Sequence, residues 1–232
     1  MQYDAAMEKL RAAASPSWAA NSMARFGIET ASAYGVSMPA IRKLAREIGK
    51  DHALALQLWD SGVHEARILA ALVDDPAQVT EEQMERWVGQ FDSWDVCDQC
   101  CGGLFDKTPL AYAKAAEWSH RQEEFVKRAG FALMAYLAVH DKKAPDEPFV
   151  GFLSDIKRES ADGRNFVKKA ANWALREIGK RSPTLNGVAI GAAEEIAQID
   201  SRPARWIASD ALRELKSEAV QKRLEKRESN LT

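Results

Sequence analysis

The stretch Val126-Lys-Arg-Ala-Gly-Phe-Ala-Leu133 has counterparts at three other places along the chain. These counterparts are Glu65-Ala-Arg-Ile-Leu-Ala-Ala-Leu72, Val167-Lys-Lys-Ala-Ala-Asn-Trp-Ala-Leu175 and Ala204-Arg-Trp-Ile-Ala-Ser-Asp-Ala-Leu212. Each stretch has a basic residue in its first turn and continues with small, alanine-rich positions that allow neighbouring helices to pack closely. With one more helix over residues 94–102, these helices start roughly 30–40 residues apart, a spacing typical of stacked helix pairs.

Helical periodicity covers the rest of the chain as well. Apolar residues recur at three- and four-residue spacings, strand signals are nearly absent, and several prolines stand where a first helical turn tolerates them. Thr80-Glu-Glu-Gln83 predicts a capping box, with Thr80 as the N-cap and the Gln83 side chain reaching back. We predict about ten helices and an all-α fold, a curved solenoid of antiparallel helix pairs of the HEAT or armadillo kind.

The chain of 232 residues is long enough to bury a sizeable core. We predict a single helical-repeat domain over residues 1–232, with N-terminal helices over 1–50, repeats over 51–215 and a C-terminal helix end and tail over 216–232. A non-repetitive helical bundle, in which the alanine positions are alike by chance, is the alternative.

Charge is unevenly distributed along the sequence. The net charge is −2, but residues 1–119 carry a net −6 and residues 120–232 a net +4. Only the second half can therefore present a basic surface, because binding to nucleic acid depends on local potential more than on net charge. The distribution permits DNA binding without demanding it, since mixed charges on helices are usually a solvated face.

The three cysteines, Cys97, Cys100 and Cys101, are too few and too close for a disulfide framework, which favours a reducing, cytoplasmic location. A closed zinc site needs four ligands, and the sequence has no second cysteine pair or histidine pair to complete one. We therefore expect buried cysteines and no metal or cofactor. The N-terminus is not that of a signal peptide, and no stretch approaches the ~20 apolar residues of a membrane span.

The densest group of chemically active side chains lies in Phe91-Asp-Ser-Trp-Asp-Val-Cys-Asp-Gln-Cys-Cys101. Ser93 is expected to cap a helix beginning at Trp94, which places Trp94 and Asp98 on one face, one turn apart. Val96 and the cysteines form the apolar face, so we expect Asp98 at the edge of the core or in a groove. A carboxylate beside an indole suits a cationic aromatic substrate; the alternative is an aspartate paired with a lysine and a tryptophan packed on the next repeat.

Three residues of the later repeats are also candidates: Arg128, Trp173 and Arg176. Taken in isolation, Trp173 is expected in the core and Arg176 in a surface ion pair with a neighbouring acid such as Glu177.

Together these segments resemble the AlkD-like DNA alkylation-repair family. The likeness runs from about Met23 to Arg181 and has a specific order and spacing. It rests on Met23-Ala-Arg-Phe-Gly27, Gly35-Val-Ser-Met-Pro-Ala-Ile-Arg-Lys43, Trp94-Asp-Val-Cys-Asp98, Val126-Lys-Arg-Ala129 and Asn172-Trp-Ala-Leu-Arg-Glu177. The sequence departs from the family at Phe26, where active members carry a tyrosine that contacts DNA.

The resemblance implies a role for each matching residue. Asp98 is the catalytic carboxylate, Trp94 and Trp173 flank the sugar of the lesion, and Arg128 binds a backbone phosphate near it. Arg176 is a further contact to the DNA backbone. With the basic residues of the repeat helices, the expected DNA-binding set is Arg128, Arg176, Lys127, Lys168, Lys169, Lys180, Arg205 and Phe26.

The implied reaction is excision of cationic N3- or N7-alkylated purines. Such a base leaves as a neutral molecule without protonation, so one carboxylate can suffice to stabilise the oxocarbenium-like sugar. The resemblance further implies that the duplex lies in a concave groove and that the lesion is held without a base pocket. We expect a monomer acting on double-stranded DNA that contains alkylated bases, with no membrane contact. A catalytically silent DNA-binding module and a protein-binding scaffold are the alternatives.

Overall fold

The computed structural model of the chain describes residues 1–28 and 30–229. Residues 29 and 230–232, the latter in the predicted tail, lie outside this description, as do the side chains of Ala20, Ser22 and Glu228. Within it the chain is helical throughout and contains no β-strand, which confirms the all-α prediction. None of the described helices has the length and apolar character needed to cross a membrane.

The described residues form fourteen α-helices, more than the ten or so predicted. The count is higher in part because the structure includes very short helices, such as Pro16–Trp18, in which no apolar period can develop. The contacts divide the chain into two compact units, Met1–Thr108 and Pro109–Thr232. The prediction of one repeat domain stays a prediction.

The first unit is built around a layer of three helices. Its helices are α1 (Tyr3–Ala12), α2 (Pro16–Trp18), α3 (Met38–Ile48), α4 (His52–Asp60), α5 (His64–Val73), α6 (Glu81–Val88) and α7 (Trp94–Gly103). Helices α3, α5 and α7 pack side by side, and α4 pairs with α5. Behind them, the rings of Trp59 on α4 and Trp87 on α6 stack at a centroid distance of 4.0 Å.

The second unit contains three helix pairs, α8/α9, α10/α11 and α12/α13, followed by a last helix. Its helices are α8 (Ala111–Ser119), α9 (Glu124–His140), α10 (Glu147–Glu159), α11 (Asn165–Gly179), α12 (Pro183–Ala197), α13 (Arg202–Leu215) and α14 (Glu218–Ser229). One layer is formed by α9, α11 and α13, the other by α8, α10 and α12. The short connections make the partners of each pair antiparallel.

Contacts between successive repeats recur at a constant sequence separation within each unit. In the second unit, hydrogen bonds join residues 38 apart: Arg128 to Phe166, Asn172 to Asp210 and Arg176 to Glu214. In the first unit, the separation is 31: Tyr34 to Glu65, Trp59 to Gln90 and His64 to Asp95. The repeats therefore have two lengths, which explains the irregular spacing of the sequence motif.

Small residues allow the helices of a pair to approach closely. A Cβ atom at Gly130 of α9 would lie 2.4 Å from the backbone nitrogen of Ser119 at the end of α8. Such a distance is far below van der Waals contact, so only glycine fits at this crossing.

The predicted caps are found only in part. The Thr80 hydroxyl accepts a hydrogen bond from the backbone N–H of Gln83 at 3.2 Å, as expected for an N-cap. The Gln83 side chain does not reach back, because its amide donates to the buried carboxylate of Asp74 at 2.6 Å.

Candidate active-site residues

Helix α7 begins at Trp94, as the sequence predicts, and Ser93 stands at its N-cap position without a capping hydrogen bond from its side chain. Val96 and the three cysteines of α7 are completely buried, which confirms the predicted apolar face. Asp98 follows Trp94 by one turn and is half-buried. The carboxylate therefore lies at the edge of the core, on the helix face that carries the indole.

The Trp94 side chain is held by the N-terminal segment. Its indole Nε1 donates a hydrogen bond to the backbone carbonyl of Phe26 at 3.1 Å. The ring packs on a small apolar cluster formed by Ala19, Met23 and Ile28. The Phe26 side chain is 60% exposed, so its ring faces solvent while its carbonyl positions Trp94.

A buried histidine–aspartate pair, which we did not predict, lies beside Trp94. His64 of α5 is 3% exposed, and its Nε2 lies 2.9 Å from Oδ2 of Asp95. Burial alone would lower the pKa of His64 and raise that of Asp95, but the hydrogen bond and opposite charge that each supplies to the other outweigh it. The pKa of His64 is raised and the pKa of Asp95 is lowered, so the charged forms of both are favoured.

Next to this pair, the buried carboxylate of Glu65 holds the loop before α3. It accepts hydrogen bonds from the backbone N–H groups of Tyr34, Gly35 and Val36 at 2.9, 2.6 and 3.1 Å. Gly35 has a φ of +77°, and a Cβ atom there would lie 2.2 Å from the carbonyl oxygen of Ser15. The loop therefore requires glycine at this position. A repeat length of 31 residues is the signal that could have revealed these contacts from sequence.

In the second unit, Trp173 and Arg176 lie on α11. Trp173 is half-buried and packs edge-on against Tyr136 of α9, with ring centroids 5.0 Å apart. Arg176 forms ion pairs with Glu214 and, at 3.7 Å, with Asp210. The ion-pair partners of Arg176 thus belong to α13, whereas Glu177 forms its own pair with Lys180 at 2.8 Å.

Arg128 and Lys127 are more deeply placed than the sequence suggests. Arg128 is 6% exposed, and its Nη1 donates to the carbonyl oxygen of Phe166 at 2.8 Å. Lys127 is 4% exposed, and its ammonium lies 2.6 Å from Glu159 and 3.6 Å from Asp162. A DNA contact from Lys127 would require breaking both ion pairs, and its role in DNA binding stays a prediction.

The other predicted DNA-binding cations of this unit are more accessible. Lys169 and Arg205 are exposed, and Arg205 pairs with Asp200 at 2.9 Å. The Lys168 ammonium lies 4.8 Å from the ring centroid of Trp206, a cation–π contact. Lys180 pairs with Glu177 at 2.8 Å and with Glu214 at 2.6 Å. It lines a cavity of about 630 Å³ that also contains two acidic residues, Asp146 and Glu177, and four other basic ones, Lys142, Arg181, Arg223 and Arg227.

The cysteines of α7 are buried in the core and form no disulfide. Burial raises the pKa of Cys100 and Cys101 well above its ordinary value, which favours the neutral thiol. Within residues 1–28 and 30–229, no three His, Cys, Asp or Glu side chains converge to hold a metal ion.

The structure thus brings Phe26, Trp94 and Asp98 together in the first unit. In the second unit it places Trp173 and Arg176 on one helix and Arg128 on the helix beside it.

Comparison with known proteins identifies the family of the chain. Residues 6–222 match the model of the DNA alkylation repair enzyme family, and the chain belongs to that family. It is 23% identical to an uncharacterized protein of Listeria innocua and 22% identical to one of Listeria monocytogenes. In both cases the match covers 72% of this chain and 73% of the relative.

A solved structure shares the fold. It is described as "a new family of proteins related to the HEAT-like repeat DNA glycosylases with affinity for branched DNA structures". The TM-score is 0.76 at 18% identity, over 92% of this chain and 95% of that one. The fold is therefore of the HEAT-like repeat kind, as the sequence spacing predicted.

Proposed function

We propose that this protein is a DNA glycosylase that excises cationic N3- and N7-alkylated purines from duplex DNA. The observation that carries the proposal is the position of Asp98. Its carboxylate is half-buried and lies one helical turn from the indole of Trp94, which a hydrogen bond to Phe26 holds in place. The chain belongs to the DNA alkylation repair enzyme family.

The chemistry requires only one carboxylate. An N3- or N7-alkylated purine carries a positive charge in DNA and leaves as a neutral base, so no general acid is needed to protonate it. As the glycosidic bond breaks, positive charge develops on the sugar, and an ionised Asp98 stabilises it and orients the attacking water. Water adds to the sugar carbon, its proton is released, and an abasic site is left.

The aromatic residues assist the same step. The family resemblance implies that Trp94 and Trp173 each contact the deoxyribose, where the face of an aromatic ring attracts the positive charge that develops on the sugar. The hydrogen bond from Trp94 to the Phe26 carbonyl holds the first indole in place before the substrate binds. Such pre-organisation lowers the activation free energy, because the indole need not be ordered during the reaction.

Basic residues of the second unit hold the DNA backbone. Arg128 and Arg176 bind phosphates near the lesion, and Lys168, Lys169, Lys180 and Arg205 add contacts farther along the duplex. The net charge of +4 on residues 120–232 supports this division between a basic binding half and an acidic half.

A catalytically silent module that binds unusual DNA structures is the second candidate. It is favoured by one observation, the affinity for branched DNA ascribed to the structural relative. A silent module would bind DNA with strong salt dependence but release no base.

The experiment is to incubate the protein with a duplex that contains N7-methylguanine and to assay the free base. The control corrects for spontaneous depurination by omitting the protein. Release above this background supports the glycosylase, and release at the background rate by a protein that binds the duplex supports the silent module. A protein that does not bind the duplex at low salt contradicts both.

A further inference from the structure

A cavity of about 630 Å³ lies in the second unit, where α9 and α11 end and α14 contributes to the wall. Its volume is within the range of small-molecule sites, roughly 300–1,000 Å³. Among the described residues that line it, five are basic, two are acidic and none is aromatic. This lining suits a compact anion better than a flat aromatic ring.

The two carboxylates of the cavity are each matched by one of its cations. Asp146 lies 3.8 Å from the guanidinium of Arg181, and Glu177 lies 2.8 Å from the ammonium of Lys180. Glu214, outside the lining, is shared between Lys180 and an arginine of α11. These pairs account for the whole negative charge of the lining and for two of its five positive charges.

Three cations of the lining have no carboxylate partner in the part of the chain that the structure describes: Lys142, Arg223 and Arg227. All three are exposed. Arg227 is held in place, because its guanidinium donates to the backbone carbonyl oxygens of Lys180 and Arg181 at 3.1 and 2.8 Å. Carbonyl groups have no net charge, so the cavity keeps an excess of three positive charges.

Helix capping explains only part of this excess. The carbonyl groups at the C-terminal end of a helix attract cations. Arg181 donates to the carbonyl oxygen of Ala138 near the end of α9 at 3.1 Å, and Arg227 donates to carbonyl oxygens just beyond the end of α11. Lys142 and Arg223 bond no carbonyl among the described residues, so capping gives no reason for their place at the cavity.

Phosphate groups fit this arrangement of donors. The guanidinium of an arginine presents its N–H groups as a planar fork that matches two phosphate oxygens, and lysine adds a compact charge. Arg181 is fixed before a ligand binds, since its side chain is 8% exposed and its guanidinium lies 4.4 Å from the ring centroid of Phe149. Fixed donors reduce the entropy lost on binding. Because several cations share one cavity of this size, a chain of phosphates fits it better than a single one.

We propose that this cavity binds a chain of two or more phosphate groups, with Lys142, Arg223 and Arg227 neutralising its charge. The chain is either a free polyphosphate, inorganic or borne by a nucleotide, or a stretch of DNA backbone, which presents the same oxygens. The three cations are outside the set of DNA-binding residues predicted from the sequence. The site therefore goes beyond the proposed excision chemistry and does not depend on it.

Binding is tested on the full-length protein with inorganic tripolyphosphate, in the absence of DNA and of divalent cations. Calorimetry measures the Kd, with chloride at the same ionic strength and an oligoglutamate peptide as comparisons. We expect saturable binding of tripolyphosphate and weaker binding or none of chloride and the peptide. Absence of saturable tripolyphosphate binding overturns the proposal, and so does tighter binding of the acidic peptide.

Single substitutions test the location of the site. Lys142→Gln and Arg223→Gln should each raise the Kd of tripolyphosphate about tenfold or more, the effect of losing one charge-assisted hydrogen bond. The free energy of unfolding should not change, because neither side chain bonds another described residue. Lys222→Gln is the matched control on α14, since Lys222 pairs with Glu218 and does not line the cavity. An unchanged Kd in both cavity variants, or an equal rise in Lys222→Gln, overturns the assignment.

The affinity for an undamaged duplex, measured over a range of salt concentrations, identifies the source of the phosphates. If the source is the DNA backbone, tripolyphosphate competes with the duplex, and Arg223→Gln reduces the slope of log affinity against log salt by about 0.9. If the source is a free polyphosphate, the slope in Arg223→Gln equals that of the wild type. Either result supports the phosphate site when tripolyphosphate binds and Arg223→Gln weakens its binding. A reduced slope in Arg223→Gln in a protein that does not bind tripolyphosphate overturns the cavity as the site.

Discussion

The indole Nε1 of Trp94 donates a hydrogen bond to the carbonyl oxygen of Phe26 at 3.1 Å, which joins α7 to a segment 68 residues earlier in the chain. This segment continues α2 as a π-helical turn over Ala19–Met23 and a 3₁₀ turn over Ala24–Phe26, and it ends at Gly27 with a φ of +72°. The hydrogen bond therefore fixes the candidate catalytic indole against a stretch with little regular structure of its own.

Replacing Trp94 by phenylalanine removes the donor and keeps an aromatic ring. We expect the free energy of unfolding to fall by about 1 kcal/mol, the net value of one hydrogen bond, and the excision rate to fall as well. Urea unfolding and single-turnover excision measure the two effects. Wild-type values for both would show that the contact to Phe26 has no role.

The His64–Asp95 pair predicts a pH-dependent stability. Because the pKa of His64 is raised by folding, its contribution is fully present below its ordinary value of 6.5 and is lost as the pH rises through the raised value. The pKa of Asp95 is lowered, so its contribution is present above its ordinary value of 3.8 and is lost as the pH falls through the lowered value.

The measurement is the difference in free energy of unfolding between wild type and His64→Gln. This difference should be largest between about pH 5 and 6.5 and should shrink at higher pH. Glu65 and Asp92 also raise the pKa of His64. The difference in free energy of unfolding between wild type and Asp92→Asn should therefore change less with pH than the difference for His64→Gln. A difference that grows from pH 6 to pH 9 contradicts the assignment.

The close crossing of α8 and α9 predicts opposite effects of alanine at two glycines. Gly130→Ala should destabilise the protein by about 1–3 kcal/mol, because its Cβ would overlap backbone atoms of Ser119. Gly151→Ala on α10 meets no atom within 4 Å and should be neutral or stabilise the protein by up to about 1 kcal/mol. Thermal unfolding measures the stability of the two variants. Equal changes in stability for Gly130→Ala and Gly151→Ala would contradict the close crossing of α8 and α9.

The proposed DNA contacts predict a change in salt dependence. Lys169→Gln should reduce the slope of log affinity against log salt by about 0.9, the effect of one phosphate contact. Lys222→Gln is the control, since Lys222 pairs with Glu218 on α14 and is not in the proposed interface. Arg128→Ala should reduce the slope similarly and also destabilise the protein, because Arg128 is buried against Phe166. Salt slopes equal to that of the wild type in both Lys169→Gln and Arg128→Ala would contradict the proposed DNA interface.

Much of the fold was predictable from the sequence because it depends on local pattern. Helix α7 begins at Trp94 as predicted, and the four repeat motifs fall within α5, α9, α11 and α13. The contacts of the charged and catalytic side chains depend instead on which residues of different repeats lie next to each other. The His64–Asp95 pair and the burial of Lys127 were therefore not predicted. The N-terminal segment has no clear periodicity, so its contact with Trp94 was not predicted either.

The proposed chemistry at Asp98 predicts which lesions are substrates. Duplexes with cationic N3- or N7-alkylpurines should release base. Duplexes with hypoxanthine or uracil should not, because these neutral bases need protonation and the proposed mechanism includes no positioned acid. Ready release of hypoxanthine or uracil would contradict the single-carboxylate mechanism.

The most direct test is the single-turnover rate of N7-methylguanine excision in Asp98→Asn. The substitution removes the charge with little change in shape, so the rate should fall on the order of a hundredfold while the affinity for the duplex stays near wild type. Asp92→Asn makes the same chemical change at a surface residue paired with Arg67 and should leave the rate unchanged. A wild-type rate in Asp98→Asn, or an equal loss in both variants, would contradict the catalytic role of Asp98.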